Sequence, residues 1–342
     1  MRPMENGEKL EKRINKIKGR TIALVYIFEG DNSSGFEHFF IWKSNVITKW
    51  MNAIQELHCL PLILDVRTFV EKAISKTLPH IDFVLNMNSG TYNLSSMALV
   101  PATCSSINVP CIPCSAESIV VGENKLLSNL IAHAIGLNVP KTLNIKNNNG
   151  IFRPINLGNS LGVTRGMNKD YKDGIYQEFI AGYELTTPIS YNAITNKMEL
   201  LPSVIYLPED QDLNWYNDEK HKQLRQGYKM KKVNLDKKIV TKYQELVSTI
   251  SLKNFCRIDA RVKCKEQGYY HNPKNDKVLF DDTYFIEINV MPTIRDNNNF
   301  CFSFDVIDEK NPFYSLIKVY NHLFDSVNIN NFLLANSMLA YL

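Results

Sequence analysis

Along the first third of the chain, apolar and polar positions switch between two periods. Residues 21–28 form an apolar run rich in β-branched and aromatic side chains, closed by a polar turn over 29–35, which predicts a buried strand. Residues 36–60 then place Phe39, Ile41, Val46, Trp50 and Ile54 over one side of a helix. Strands are predicted again at 61–64 and 81–85, with a helix over 69–75 between them. Strand and helix in alternation predict an α/β unit built on a mainly parallel sheet.

Downstream the pattern mixes. Residues 115–122 lead into a helix whose apolar stripe is Leu126, Leu127, Leu130, Ile131 and Ala134, and 136–140 end it. Strands are predicted over 175–180 and 198–207, and Gly182 permits a turn before a further strand at Glu184. Residues 235–250 predict a helix buried through Ile239, Tyr243, Leu246, Val247 and Ile250. Two short strands, NFCRIDAR (254–261) and TYFIEINVMP (283–292), flank a turn-rich insertion containing HNPKND. Helices are expected over 312–342, packing through Leu316, Val319, Tyr320 and Leu323, while the charged residues 1–20 predict an exposed extension or short helix.

Composition narrows the class. A chain of 342 residues, 44% of them hydrophobic, can bury the cores of two or three domains. A net charge of +4 with scattered lysines lacks the concentrated basic and aromatic surface that a polynucleotide needs. No apolar run approaches a membrane span and the start MRPMENGEKLEKR is unlike a secretory signal, so a cytoplasmic protein is expected. Seven cysteines, an odd number spread through a large chain, predict reduced thiols. Cys111 and Cys114 have metal-like spacing in CIPC but no second pair, and buried thiols at a strand edge are the expectation.

The candidate chemistry sits on the late strands. Glu287 and Asn289 lie two apart, so an extended chain points both to one face, where a carboxylate and an amide oxygen suit magnesium and its phosphates. Arg257 and Asp259 repeat that spacing. If the strands are neighbours, one ion fits among Asp259, Glu287 and Asn289, with Arg257 facing the oxygens around it. A salt bridge between Arg257 and one of the acids on an ordinary sheet fits the same spacing. Lys125 at a helix start and Arg153 beside the turn 158–162 are phosphate candidates or surface cations, and no glycine-lysine-serine ending follows that turn. Backbone groups around Glu178 to Ile180 suit an adenine, and Glu184 suits ribose hydroxyls or a plain strand surface. Polar loops carrying Glu29, Glu37 and His38, and Asn86 to Gly90, follow predicted strands, and Lys220, His221 and Arg225 lie in a basic flap candidate. Neither a serine-histidine-acid set nor a dinucleotide glycine fingerprint is present.

Taken in order, NKLLSN, IFRPINLGNSLGV, QEFIAGYELT, LPSVIY, NFCRIDAR and YFIEINVMP resemble the D-alanine:D-alanine ligase family of the ATP-grasp superfamily, over roughly residues 20–310. The resemblance implies α/β and α+β architecture: an ATP-grasp fold whose two lobes enclose ATP beneath an N-terminal α/β domain. The implied divisions are an extension at 1–20, a substrate domain at 21–115, a central lobe at 116–186, a catalytic lobe at 187–310 and a helical extension at 311–342. It implies magnesium, with manganese an alternative, on Asp259, Glu287 and Asn289. Phosphate contacts fall to Lys125, Arg153 and Lys220, and the remaining nucleotide contacts to Gln177, Glu178, Phe179, Ile180, Glu184 and Phe285. Arg257, with Lys220, is the implied catalytic group, stabilising the acyl phosphate and the tetrahedral intermediate.

The sequence departs from the family pattern at several positions. Arg153 stands where lysine is usual and Gln177 where an acid is usual. In the implied substrate set of Glu29, Glu37, Asn159, Ser160, His221, Arg257, Asn289 and Thr293, Asn159 replaces serine, His221 tyrosine and Thr293 glycine. The expected function is an ATP-dependent carboxylate–amine ligase with altered substrates, in specialised metabolism, acting on small molecules and forming a homodimer. D-alanyl-D-alanine synthesis itself, or a regulatory ATP-binding protein with reduced catalysis, are the alternatives.

Overall fold

Four apolar residues in a row, Ile22 to Val25, are buried on both faces of strand β1 (Thr21–Tyr26), as a strand covered by helices on either side requires. The computed structural model describes residues 3–28, 42–90, 94–143, 150–158, 160–166, 173–218, 221, 226–294, 296 and 298–342. Helix α1 (Pro3–Asn15) precedes β1, and α2 (Ser44–Glu56), β2 (Leu60–Asp65), α3 (Val66–Ile74), β3 (Phe83–Asn86), α4 (Leu94–Ser106) and β4 (Cys111–Ile112) follow. The sheet runs β2-β1-β3-β4 and is parallel throughout, as the alternating pattern predicts. Helix α4 has no counterpart in the sequence reading, because Pro101 interrupts it and its apolar residues follow no helical period.

Two short helices, α5 (Ala116–Glu123) and α6 (Lys125–Ala134), lead to an antiparallel sheet of β5 (Gly150–Pro154), β6 (Thr164–Arg165) and β7 (Gly174–Glu178), ordered β6-β5-β7. Helix α6 is turned opposite to expectation. Leu126, Leu127 and Leu130 are exposed, while Lys125, Ser128, Asn129 and Ala132 are buried. The cause is polar: Asn129 Nδ2 donates to the Ile286 carbonyl at 3.0 Å, which holds the polar side of the helix against a strand of the next sheet.

The largest sheet is built from β8 (Gly182–Asn192), β9 (Lys197–Leu200), β10 (Ser203–Pro208), β11 (Tyr228–Leu235), β12 (Phe255–Lys263), β13 (Lys277–Val278) and β14 (Thr283–Asn289). Its order among the described residues is β13-β11-β10-β8-β12-β14, with β9 paired to β8. The single strand predicted over 198–207 is two, β9 and β10, parted at Pro202, whose missing N–H cannot serve a ladder. Helix α7 (Lys237–Thr249) covers the back of the sheet through Ile239, Tyr243, Leu246 and Val247, the predicted residues.

Helices α8 (Asn299–Asp305), α9 (Tyr314–Leu323) and α10 (Ile329–Leu339) complete the described chain. Every residue of α10 is buried. It belongs to one apolar core in which Ile22, Leu24 and Trp50 of the N-terminal unit meet Phe300, Phe332 and Leu334. The N-terminal extension enters this core too, contrary to the expected exposure: Ile14 and Ile17 are buried in it, and the Arg13 guanidinium donates to the carbonyls of Ala193 at 2.8 Å and Leu339 at 3.1 Å.

Candidate active site

Strand pairing sets the floor of a cleft. Alternation sends Tyr183, Leu185 and Ile189 of β8 and Cys256, Ile258 and Ala260 of β12 into the core behind the sheet. The intervening residues face the other way. Register then aligns them in rows: Glu184 with Arg261, Thr186 with Asp259 and Glu287, and Arg257 with Asn289. Helices α5 and α6 and the β5–β7 sheet form the facing wall, contributing Glu123, Lys125, Arg153 and Gln177.

Two carboxylates, Asp259 and Glu287, thus stand opposite each other on antiparallel strands, an arrangement that repels unless positive charge surrounds it. Arg257 supplies part of that charge. Its Nε lies 2.9 and 3.0 Å from the two Asp259 oxygens and its Nη2 2.7 Å from Oδ2, so the salt bridge anticipated as an alternative is formed. Burial works against the Arg257 charge, but Asp259 overrides it and the pKa lies above its ordinary value. Thr186 donates to Asp259 Oδ1 at 2.6 Å. Glu287 is approached by Lys125 Nζ at 3.5 Å and Arg153 Nη1 at 4.0 Å, while Lys125 donates to the Leu157 carbonyl at 2.7 Å.

The unusual pair Arg153 and Gln177 is explained by its bonding. Arg153 donates to the Ile286 carbonyl at 3.0 Å and to Gln177 Oε1 at 2.6 Å. Gln177 in turn donates to the Pro140 carbonyl at 3.1 Å and to Asn129 Oδ1 at 3.3 Å. A carboxylate at 177 would face those two acceptors with nothing to give, so the amide fits this surrounding better than an acid. Burial lowers the Arg153 pKa, and Glu287 opposes that shift.

At the opposite end of the cleft, Glu184 Oε1 accepts the Asn217 N–H at 2.9 Å and lies 3.6 Å from Arg261 Nη1. The Phe179 ring has the guanidinium carbons of Arg165 and Arg261 at 3.7 and 4.6 Å from its centroid. Arg261 donates to the carbonyls of Ile180 and Gly182, tying the β7–β8 connection to β12. Burial brings its pKa down to about 10 despite Glu184.

The cleft therefore gathers Lys125, Arg153, Gln177, Glu178, Phe179, Ile180, Glu184, Arg257, Asp259, Glu287 and Asn289 of the predicted residues, and also Ser160 and Thr293. Phe285 is a correction. A bulge shifts the register so that Asp259 faces Glu287 but Ala260 faces Phe285, which turns the phenyl ring into the core behind the sheet. His221 is also directed elsewhere, with Nδ1 2.7 Å from Asp218 Oδ1 and its ring against Trp215. Lys220, Asn159, Glu29 and Glu37 lie outside the described residues. Sequence reasoning passed over Glu123, Thr186, Tyr206, Arg261 and Asn299, all on the cleft wall. Arg261 alone had a signal, since it continues the alternation of Arg257 and Asp259.

Among the described residues no three histidine, cysteine or carboxylate side chains converge on one point. The candidate cation set is instead two carboxylates and an amide, all hard oxygen donors, aligned on neighbouring strands as Asp259 opposite Glu287 and Asn289 two residues on, a donor chemistry that fits a small divalent cation. Cys111 and Cys114 are buried, and burial pushes both thiol pKa values up. No helix among the described residues is long and apolar enough to cross a membrane.

No family model matches the sequence, and no curated protein matches it. Solved structures do. D-alanine–D-alanine ligase from Bacillus anthracis, in complex with ATP, superposes with a TM-score of 0.55 at 16% identity, covering 89% of this chain and 98% of its own. D-alanyl-alanine synthetase A from Vibrio cholerae gives 0.60 at 15% identity, covering 90% and 99%. VanG D-Ala:D-Ser ligase from Enterococcus faecalis gives 0.54 at 13%, covering 89% and 100%. The chain has an ATP-grasp fold. Its particular form, an α/β unit ahead of two lobes, is the one these D-alanine ligases share.

Proposed function

We propose that this chain is an ATP-dependent ligase that joins a small carboxylate to an amine through an acyl phosphate. The observation that carries the proposal is the row Thr186, Asp259 and Glu287 beside Arg257, facing Lys125 and Arg153 across a cleft whose other end has Phe179, Ile180 and Glu184. Adenine would lie against the Phe179–Ile180 backbone with ribose on Glu184, which directs the triphosphate toward Lys125 and Arg153. Asp259, Glu287 and Asn289 would hold magnesium, which supplies charge neutralisation of the phosphates when bound.

In the first step a carboxylate oxygen attacks the terminal phosphorus and the bond to ADP breaks, giving an acyl phosphate. In the second, a neutral amine attacks the activated carbonyl, the C–N bond forms, phosphate departs and the amine proton goes to solvent. Arg257 is suited to both steps. Asp259 fixes its guanidinium on the cleft floor, so no reorganisation is needed as negative charge develops on the substrate oxygens.

Specificity other than for D-alanine is supported by Thr293, a β-branched residue on the cleft wall where the resemblance has glycine. Incubation of the protein with ATP, magnesium and paired amino acids, read by product mass and ADP release, tests both levels. One ADP per amide product is expected. D-alanyl-D-alanine as the main product would overturn the altered specificity. Tight ATP binding without phosphate release across the panel would leave the regulatory alternative instead.

A further inference from the structure

Two asparagines on the cleft wall, Asn217 and Asn299, carry a buried side-chain oxygen with no partner among the described residues. Asn217 belongs to the Glu184 end. Asn299, the first residue of α8 and 6% exposed, lies over the β8–β10 side of the floor, where its Nδ2 donates to the Tyr206 hydroxyl at 3.1 Å and to Thr186 Oγ1 at 3.3 Å.

The orientation of this amide is forced. Thr186 gives its only hydroxyl proton to Asp259 at 2.6 Å, so it can meet Asn299 only as an acceptor, and the group it meets must be the NH2. Asn299 Oδ1 is thereby held without a hydrogen, and a buried unpaired carbonyl in a native fold calls for a partner. Tyr206 completes the pattern. It accepts from Asn299, burial keeps its pKa above the ordinary value, and no described residue accepts its proton. One acceptor and one donor are therefore left on two side chains already bonded to each other, and the Thr186 hydroxyl links Asn299 to Asp259.

We propose that Asn299 is a specificity-determining residue: with Tyr206 it reads a hydroxyl on one of the two joined substrates, so that a hydroxy-amino acid is selected over its alkyl counterpart. A hydroxyl donates to Asn299 Oδ1 and accepts from Tyr206, whereas a methyl leaves both unpaired and an ammonium cannot accept. The proposal rests on the ligase function and deepens it.

The test offers matched pairs, serine against alanine and threonine against valine in each enantiomer, in either substrate role, and compares kcat/KM for amide formation. A preference of about tenfold or more for the hydroxy member is expected in the wild type, since sites that hydrogen-bond a substrate hydroxyl discriminate strongly against its absence. Asn299→Leu is expected to bring that ratio to one or below. Equal use of both members by the wild type, or preference for the alkyl member, overturns the proposal whatever the variant does. Should no pair give product, the ligase function fails separately, and calorimetric titration of the same amino acids in the presence of magnesium and a non-hydrolysable ATP analogue decides. Tighter binding of serine than alanine upholds the role of Asn299, and equal or absent binding overturns it.

Discussion

Arg257 and Asp259 occupy each other two positions apart on one strand, and this geometry makes the arginine irreplaceable by a shorter fork. Lysine would keep the charge but lose the Nε and Nη2 contacts that fix the group. For Arg257→Lys we expect amide formation to fall by about a hundredfold or more, with a much smaller change in the KM for ATP, measured by steady-state ADP release. Glu123 gives a pH signature. Its Oε1 accepts the Val290 N–H, and burial, opposed by Lys125 and reinforced by Glu287, pushes its pKa from 4.5 up to about 7. Below 4.5 the carboxyl is protonated folded or unfolded. As pH rises toward 7 the unfolded chain loses its proton first, so the folded state loses stability through this group until both are ionised. Glu123→Gln should therefore leave the unfolding temperature unchanged near pH 4 and raise it above pH 7, followed by thermal scans in chelator. The single-residue signals visible in the sequence were those carried by alternation, such as Asp259 and Glu287. Asn299 and Tyr206 were invisible because only the packing of helix α8 against β8 and β10, more than ninety residues earlier, brings them to one cleft.

At the level of elements, period and partner competed. Strands β12 and β14 obeyed period two and were legible, except where the bulge displaced Phe285 from the face that strict alternation from Glu287 would give it. In α6 the apolar stripe pointed one way and the polar bonds another, and the polar bonds to β14 won. No local pattern predicts that outcome, since it depends on a strand some 150 residues later. Helix α10 is a second case. A helix was expected in this region, but its complete enclosure was not legible, since Asn330, Asn331, Asn336 and Ser337 are buried along with its apolar residues. Leu334→Ala within it should cost about 2–5 kcal/mol, the range for a leucine removed from a close-packed core, seen as a lower midpoint in urea unfolding. A change under about 1 kcal/mol would mean that the helix is not packed as described.

For the whole molecule, the placement of cores divides rigid from mobile parts. The N-terminal sheet shares its core with α8 to α10 and with Phe255 of β12, so those parts should open together. None of the described residues of β5–β7 belongs to the three large apolar clusters. Amides of β7 should exchange with deuterium well before those of β12, and magnesium with ATP should slow the β7 amides while leaving β1 to β3 unchanged. Equal exchange in β7 and β12 would contradict this division. The overall α/β beginning was legible because strand and helix alternate along the chain there and each strand's apolar run is short and bounded by polar turns. The union of the two chain ends was not, since Arg13 meets Leu339 across more than three hundred residues. That union has a consequence for biogenesis. Strands β1 and β3 obtain the other half of their packing from a helix translated some three hundred residues after β1, so a nascent chain emerging from the ribosome must carry an open apolar flank over that whole interval. Holdase chaperones would find their binding surface there.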